Sequence, residues 1–377
     1  MENRWGLDFF LLTVVLILLT VGVVMVYSAS HFIAEKKFDT PHFFLLRQVV
    51  WSVIALGAIL VLSRIDYRLY RRIALPLLVF GFLLLVLVLF SRPIKGAYRW
   101  ISFKGFQFQP SEFFKFVLAV YLAHSLAKRA GKLENWRYLL IPYAPILLLA
   151  FVLIMKEPDL GTFMTIAVMT FLGLFVVGAR LKHLAFVTLP VVALAAILVF
   201  GLGYKKTRVL DYSRSFHDPT LGSYQVKQAT LALGSGGLFG RGLGEGRQKM
   251  FYLPEPHTDF IFASIGEEGG FVGLVLLLFA FLVLIWRGWM IAARAPDVFG
   301  FLLAFILTAS IFVAVVLNLA VVTGLVPTTG IPLPFLSYGG SSLLVTALAI
   351  GVLLNIAAQT KLFEAARAGK ERRSFFA

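Results

Sequence analysis

The stretch Tyr252-Leu-Pro-Glu-Pro-His-Thr-Asp-Phe-Ile-Phe-Ala-Ser-Ile-Gly-Glu-Glu-Gly-Gly-Phe-Val-Gly273 closes the longest polar segment of the chain and opens an apolar run at Phe260. It sets Glu255, His257 and Asp259 just before a segment long enough to cross a bilayer. A carboxylate at the mouth of a membrane helix is costly unless something compensates, which makes these residues functional candidates. A plainer reading stands beside that one: Thr258 or Asp259 is only the N-cap of the helix that follows.

Working outward, the same apolar character recurs along all 377 residues, 59% of them hydrophobic and 14% charged. Soluble domains carry ~25% charged residues, so repeated apolar runs of this length read as an all-α polytopic membrane protein. Ten spanning segments are expected, at about 8–28, 43–63, 72–91, 110–127, 138–156, 160–178, 182–202, 260–285, 299–323 and 340–360. The fifth and sixth are separated only by Glu157, Pro158 and Asp159, a tight proline-marked turn. No A-x-A-like cleavage site follows the first run, so it reads as an uncleaved helix. With no cysteine there is no disulfide framework, thiolate metal site or thiol nucleophile.

The formal charge of +16 is explained by the membrane rather than by nucleic acid, for which there is no motif. With a cytoplasmic N-terminus, the inner segments hold 18 Lys/Arg and the short outer loops 8, the orientation expected of basic residues retained inside. Both termini then lie in the cytoplasm, including the basic tail 361–377, and the whole chain is one integral membrane domain. The long loop 203–259, between the seventh and eighth spans, faces outward with the stretch quoted above. Within it, Tyr224 to Leu233 reads as a short interfacial helix. The run Gly234-Ser-Gly-Gly-Leu-Phe-Gly-Arg-Gly-Leu-Gly-Glu-Gly246 lacks the preceding strand and the Gly-Lys-Ser/Thr of a phosphate-binding loop. It is either a loop needing positive φ or a backbone lining beside a ligand.

Residues 298–360 contain no Asp, Glu, Lys or Arg, yet Val326-Pro-Thr-Thr-Gly-Ile-Pro-Leu-Pro-Phe-Leu-Ser-Tyr-Gly-Gly-Ser-Ser342 cannot continue a helix. Irregular backbone at membrane depth must be buried in protein or line a cavity. A re-entrant segment is expected, with Ser337, Tyr338, Ser341 and Ser342 facing a cavity. Elsewhere, Glu112 and Lys115 lie three apart on one helix face and could pair. Asp159 could cap the sixth span. Arg99, Lys115 and Lys249 bring cations to the outer side, where carboxylates are few. A lipid carrying a diphosphate and a sugar suits such a site: cations hold the diphosphate, and one carboxylate removes a proton from an attacking hydroxyl. No His/Asp/Glu cluster has tight metal-ligand spacing, so any metal would lean on Asp259.

Arg99-Trp-Ile, Gln109-Pro-Ser-Glu112, Glu157-Pro-Asp-Leu-Gly-Thr162, Gly240-Arg-Gly-Leu-Gly244, Gln248-Lys249, Leu253-Pro-Glu-Pro-His-Thr-Asp-Phe-Ile-Phe-Ala263, Gly266-Glu-Glu268 and Pro332-Leu-Pro-Phe-Leu-Ser-Tyr-Gly-Gly-Ser-Ser342 resemble the SEDS family (shape, elongation, division and sporulation proteins), whose members include FtsW and RodA. The pieces fall in the family's order and span most of the chain. Two departures are Ser223, where the family has a glycine before Tyr-Gln, and Gly269-Gly270 after the paired glutamates. The resemblance implies a peptidoglycan glycosyltransferase of the bacterial cytoplasmic membrane, polymerising lipid II into β-1,4 glycan on the extracytoplasmic face and releasing undecaprenyl diphosphate. It implies Asp259 as the catalytic carboxylate, acting as base or carrying a divalent cation (Mg2+ or Mn2+), with no organic cofactor. Arg99, Lys115, Lys249, Ser337 and Ser341 are the substrate-binding candidates. Glu112, Asp159, Glu255 and His257 support the site. A class B penicillin-binding protein is the implied partner, beside membrane lipids. Gln248-Lys249 and Pro254-Glu-Pro-His257 look more like FtsW (division) than RodA (elongation). The rival functions are a lipid II flippase, for which the charge-free final span is unsuited, a secondary transporter and a scaffold.

Overall fold

The computed structural model describes residues 8–94, 96–103, 106–129, 136–180, 223–250 and 252–375, with short fragments between 182 and 213. The predicted seventh span, 182–202, lies almost wholly outside the described residues, as does much of 203–222.

The chain is mostly helical: α1 Phe9–Phe38, α2 Phe43–Leu62, α3 Arg68–Val88, α4 Pro110–Arg129, α5 Trp136–Lys156, α6 Leu160–Val176, α7 Tyr224–Ser235, α8 Ile261–Ala293, α9 Val298–Val322 and α10 Gly340–Phe375. Six of these, α1–α3 and α8–α10, are long and apolar enough to cross a membrane. Helices α5 and α6 are apolar but shorter over the segments Pro142–Lys156 and Leu160–Val176. Helix α4 has 20 residues and carries Glu112, Lys115, Lys128 and Arg129. Where a predicted span met strong helix formers beyond the bilayer, the helix continued. The first span, expected to stop near residue 28, runs to Phe38 through Ala34, Glu35, Lys36 and Lys37, and ends where Asp39 turns left-handed.

Among the described residues the expected all-α architecture is interrupted by one small sheet. Ile101–Phe103 and Phe106–Phe108 form a two-stranded antiparallel sheet, β1 and β2, pairing Ile101 with Phe108 and Ser102 with Gln107. Its alternating apolar and polar residues have the strand period of two, in a pattern too short to stand out among membrane helices.

The interior is built on α4, α9 and α10. The apolar window of α10 is 83% buried within the protein and that of α9 67%, against 22% for α2 and 28% for α3. The charge-free span 298–360 is therefore apolar because it forms the protein core, whereas α2 and α3 are apolar because they face lipid.

Helix α8 is broken at Gly270, whose φ of 66° and ψ of −167° leave the helix. The break frees the carbonyls of Glu267 and Glu268 and the amides of Phe271 and Val272. The glycine-rich loop after α7 takes up all four: Arg241 N and Gly242 N donate to Glu267 O (3.0 Å) and Glu268 O (3.1 Å), and Phe271 N and Val272 N donate to Gly237 O (2.9 Å) and Leu238 O (3.0 Å). The backbones come so close that a Cβ on Gly240 would sit 2.0 Å from Glu268 O, and one on Gly270 would sit 2.2 Å from Gly240 N. The structure shows that this loop lines a broken helix.

Candidate functional site

The stretch 252–260 is a series of turns ahead of α8. The helix N-cap is Phe260, and no side chain caps it. The capping reading of Thr258 and Asp259 is thereby excluded. The Asp259 carboxylate is half-buried, with Oδ1 2.8 Å from the Thr258 hydroxyl. That hydroxyl also lies 2.8 Å from the Glu255 carbonyl. Glu255 is exposed and has a φ of 49°, so it serves as a turn residue.

The backbone of this stretch is fixed from two sides. Asn318 of α9, fully buried, donates from Nδ2 to both Asp259 O and Ile331 O at 2.8 Å. The re-entrant segment supplies the other side: Tyr338 N donates to His257 O (2.8 Å), and the Ser337 hydroxyl donates to Thr258 O (2.6 Å) while accepting from Leu333 N (2.8 Å). The His257 ring packs against Phe44 and Tyr338, with centroids 4.4 and 5.6 Å away.

A second polar node joins α4, α6 and the re-entrant segment. Asp159 caps α6 as expected, accepting from Thr162 N (3.2 Å), and it also accepts from Gln109 Nε2 and the Thr162 hydroxyl at 2.8 Å. Gln109 N donates to the Ser341 hydroxyl (2.9 Å), which lies 3.2 Å from Gln107 O. Arg99 Nε donates to Glu157 O at 2.7 Å. Glu157 itself is fully buried, and neither carboxyl oxygen has a hydrogen-bond partner. Burial, and then the Asp159 carboxylate, push its pKa up to about 9. Ser111 and Arg99 pull the other way without closing a hydrogen bond to either oxygen.

Glu112 and Lys115 form the expected pair, 2.8 Å apart. They line a cleft between α4, α9 and α10 with Ser310, Pro334, Ser342 and Thr346. Of the four hydroxyls expected to face a cavity, Ser342 does so. The expectation is corrected for Ser337 and Ser341. Both are buried, and their oxygens are spent on backbone groups, because an irregular segment in an apolar surround must satisfy its own peptide groups first.

Lys249 also departs from its expected role. It is 2% exposed, with Nζ 2.6 Å from Glu268 Oε1 and 2.8 Å from the Ser28 hydroxyl. Its charge is paired with the Glu268 carboxylate inside the protein. Glu268 further accepts from Gly244 N (3.0 Å), and Glu267 accepts from Arg247 N (2.7 Å) and Gln248 N. The sequence reading gave no role to Glu267, Glu268 or Asn318. Two adjacent carboxylates a turn and a half into an apolar helix, and a lone Asn in a charge-free span, were the available signals. Among the described residues no group of three or more His, Cys, Asp or Glu could hold a metal ion. Asp259 with its Thr258 hydroxyl offers one hard-oxygen position, which suits an ion completed by water and phosphate.

The chain as a whole resembles known proteins. A cell cycle protein family model, that of FtsW, RodA and SpoVE, matches residues 9–362. The chain is 44% identical to a probable peptidoglycan glycosyltransferase FtsW of Trichlorobacter lovleyi over 358 residues, 94% of each protein. It is 43% identical to stage V sporulation protein E of Bacillus subtilis over 352 residues, 93% of this chain and 96% of that one. Among solved structures it resembles a chain of a peptidoglycan synthase complex that coordinates polymerization and crosslinking, with a TM-score of 0.77, 29% identity and coverage of 94% and 98%. It also resembles the rod shape determining protein RodA of Thermus thermophilus, with a TM-score of 0.71, 30% identity and coverage of 95% and 99%. On its sequence motifs, its fold and these matches, the chain belongs to the FtsW/RodA/SpoVE cell cycle protein family, the SEDS family.

Proposed function

We infer that this chain is a peptidoglycan glycosyltransferase that polymerises lipid II in the bacterial cytoplasmic membrane and serves cell division. The names of its FtsW relatives support the activity and the division role. The observation that carries the site assignment is Asp259: its backbone is clamped by Asn318 and the re-entrant segment, while its carboxylate is left out of helix capping and half-exposed.

In this reading the 4-hydroxyl of the acceptor GlcNAc attacks the anomeric carbon of the donor sugar. The C–O bond to phosphate breaks, undecaprenyl diphosphate departs and the hydroxyl proton passes to Asp259. Inversion of the α-linked donor to a β-1,4 product requires one base and one displacement. The leaving group needs cations rather than an acid. Lys115 in the cleft and Arg99 above the Glu157 turn are assigned that task. A divalent ion, Mg2+ or Mn2+, would be held by Asp259 and phosphate oxygens and would offset diphosphate charge. We further assign ten spanning helices, cytoplasmic termini and an extracytoplasmic site, from the distribution of basic residues. A class B penicillin-binding protein is the crosslinking partner in this proposal, by analogy with the peptidoglycan synthase complex.

The test uses the purified chain with its class B partner, fluorescent lipid II and a divalent cation, with glycan length read on a gel. Wild type should polymerise, and Asp259→Asn should lose at least about 10²-fold in rate, the scale of a lost general base. Polymer from the mutant at wild-type rate would remove Asp259 from the chemistry. Lipid II crossing liposomes without polymer would replace the enzyme by a flippase.

A further inference from the structure

The turn that heals the α8 break carries three large apolar side chains pointing away from the protein: Leu238, Phe239 and Leu243 are 65%, 81% and 69% exposed. They are not isolated. The hydrogen bonds from Phe271 N and Val272 N pin residues 237 and 238 against the first helical residues beyond Gly270. Those residues begin the exposed stripe of α8: Phe271, Val272, Val275, Leu276, Phe279 and Leu282, at helical i, i+3, i+4 spacing. On a helix long and apolar enough to cross a membrane, that stripe faces acyl chains.

We propose that the 238–243 turn is a lipid-contacting knob, which sets Leu238, Phe239 and Leu243 among the acyl chains of the leaflet on the Asp259 side. Irregular backbone enters lipid at least cost when its polar groups are paired within the protein, and five amides of this turn are paired in that way. The amides of Gly240, Arg241, Gly242, Gly244 and Glu245 donate to Gly236 O, Glu267 O, Glu268 O, Glu268 Oε2 and Gly242 O. Its one cation between the apolar tips, Arg241, folds back so that Nε donates to Ser235 O at 3.2 Å. In water, three adjacent apolar tips on a glycine turn would be a liability. In lipid they continue a surface already there, which is why bilayer rather than a partner protein is the chosen occupant. The proposal does not rest on the catalytic reading.

The absence of native cysteine makes the test direct. Single nitroxide labels on Phe239→Cys and Leu243→Cys in lipid nanodiscs are compared with Leu276→Cys on the α8 stripe and with the exposed Glu35→Cys. The expected result is collision with oxygen favoured over a nickel chelate several-fold more than at Glu35→Cys, matching Leu276→Cys. A water-like ratio at both positions overturns the proposal. So does protection from both reagents that appears only when a partner protein is added, which would make the turn a protein contact. As a second readout, Phe239→Asp should lower the nanodisc melting temperature by several degrees, and no change would count against lipid contact.

Discussion

Two sets of carboxylates sit at opposite ends of one short stretch, and they are used in opposite ways. Glu267 and Glu268 are 1% and 2% exposed, and their oxygens are occupied by backbone amides, the Ser28 hydroxyl and the Lys249 ammonium. Asp259 is half-buried, its carboxylate lies 2.8 Å from the Thr258 hydroxyl, and its peptide carbonyl is fixed by Asn318. Carboxylates saturated with partners hold a broken helix and its loop together. A carboxylate whose backbone is immobilised and whose side chain stays partly exposed is the one we propose for the chemistry. The contrast teaches that burial and a cation nearby mark architecture at least as often as they mark a site.

The comparison breaks most readily at Lys249. Lys249→Ala leaves the Glu268 charge buried without its counter-ion, a loss of about 3–5 kcal/mol for buried pairs. The folded fraction should collapse in a thermal melt, whereas Asp259→Asn should melt with the wild type while losing activity. Recovery of folding in a Lys249→Met, Glu268→Leu double variant would confirm that the pair is structural; a folded but inactive Lys249→Ala would return Lys249 to the substrate.

Gly240→Ala follows. The new Cβ meets Glu268 O at 2.0 Å and the residue has a φ of +79°, so strain of about 1–3 kcal/mol adds to the clash. Hydrogen exchange should rise at Phe271 and Val272, whose amides depend on this loop. Unchanged protection there would mean that the loop does not heal the helix break. Asn318→Leu acts on the other half of the comparison. It strands the carbonyls of Asp259 and Ile331, at about 1–3 kcal/mol for an unsatisfied buried group. Polymerisation should fall more than folding does, since the variant loosens the base directly. Full activity in a destabilised variant would show that Asp259 does not need this clamp.

How much of this was legible follows from which interactions are local. The six long apolar helices were readable because twenty apolar residues in a row have one physical solution in a bilayer. The Glu112–Lys115 pair and the Asp159 cap were readable because their partners lie within three residues. The clamp on this stretch was not, since Asn318 is 59 positions from Asp259 and Ser337 is 79 from Thr258, and both look like ordinary polar residues in apolar surroundings. The partner of Lys249 was hidden for the same reason: a lysine in a glycine-rich loop reads as solvated until the helix bearing Glu268 is folded against it. The strands escaped because a two-by-three-residue sheet leaves little pattern.

The subtlest test concerns Glu157, a third kind of carboxyl, buried like Glu268 but unpartnered. Its pKa is pushed from an ordinary 4.5 up to about 9. Below the ordinary value both folded and unfolded chains hold the proton, and stability does not depend on this group. Between the two values the unfolded chain has released the proton and the folded chain retains it. Stability is therefore lost as pH rises through this window, by up to about 1.4 kcal/mol per pH unit. Glu157→Gln keeps the shape of the neutral acid and cannot ionise. Melting temperatures in nanodiscs should agree for wild type and variant near pH 5 and diverge in the variant's favour toward pH 8.5. A difference that stays constant across that range would mean that Glu157 is ionised in the folded protein, with Arg99 as its counter-charge, and would move it from the protonated class to the saturated class of Glu268.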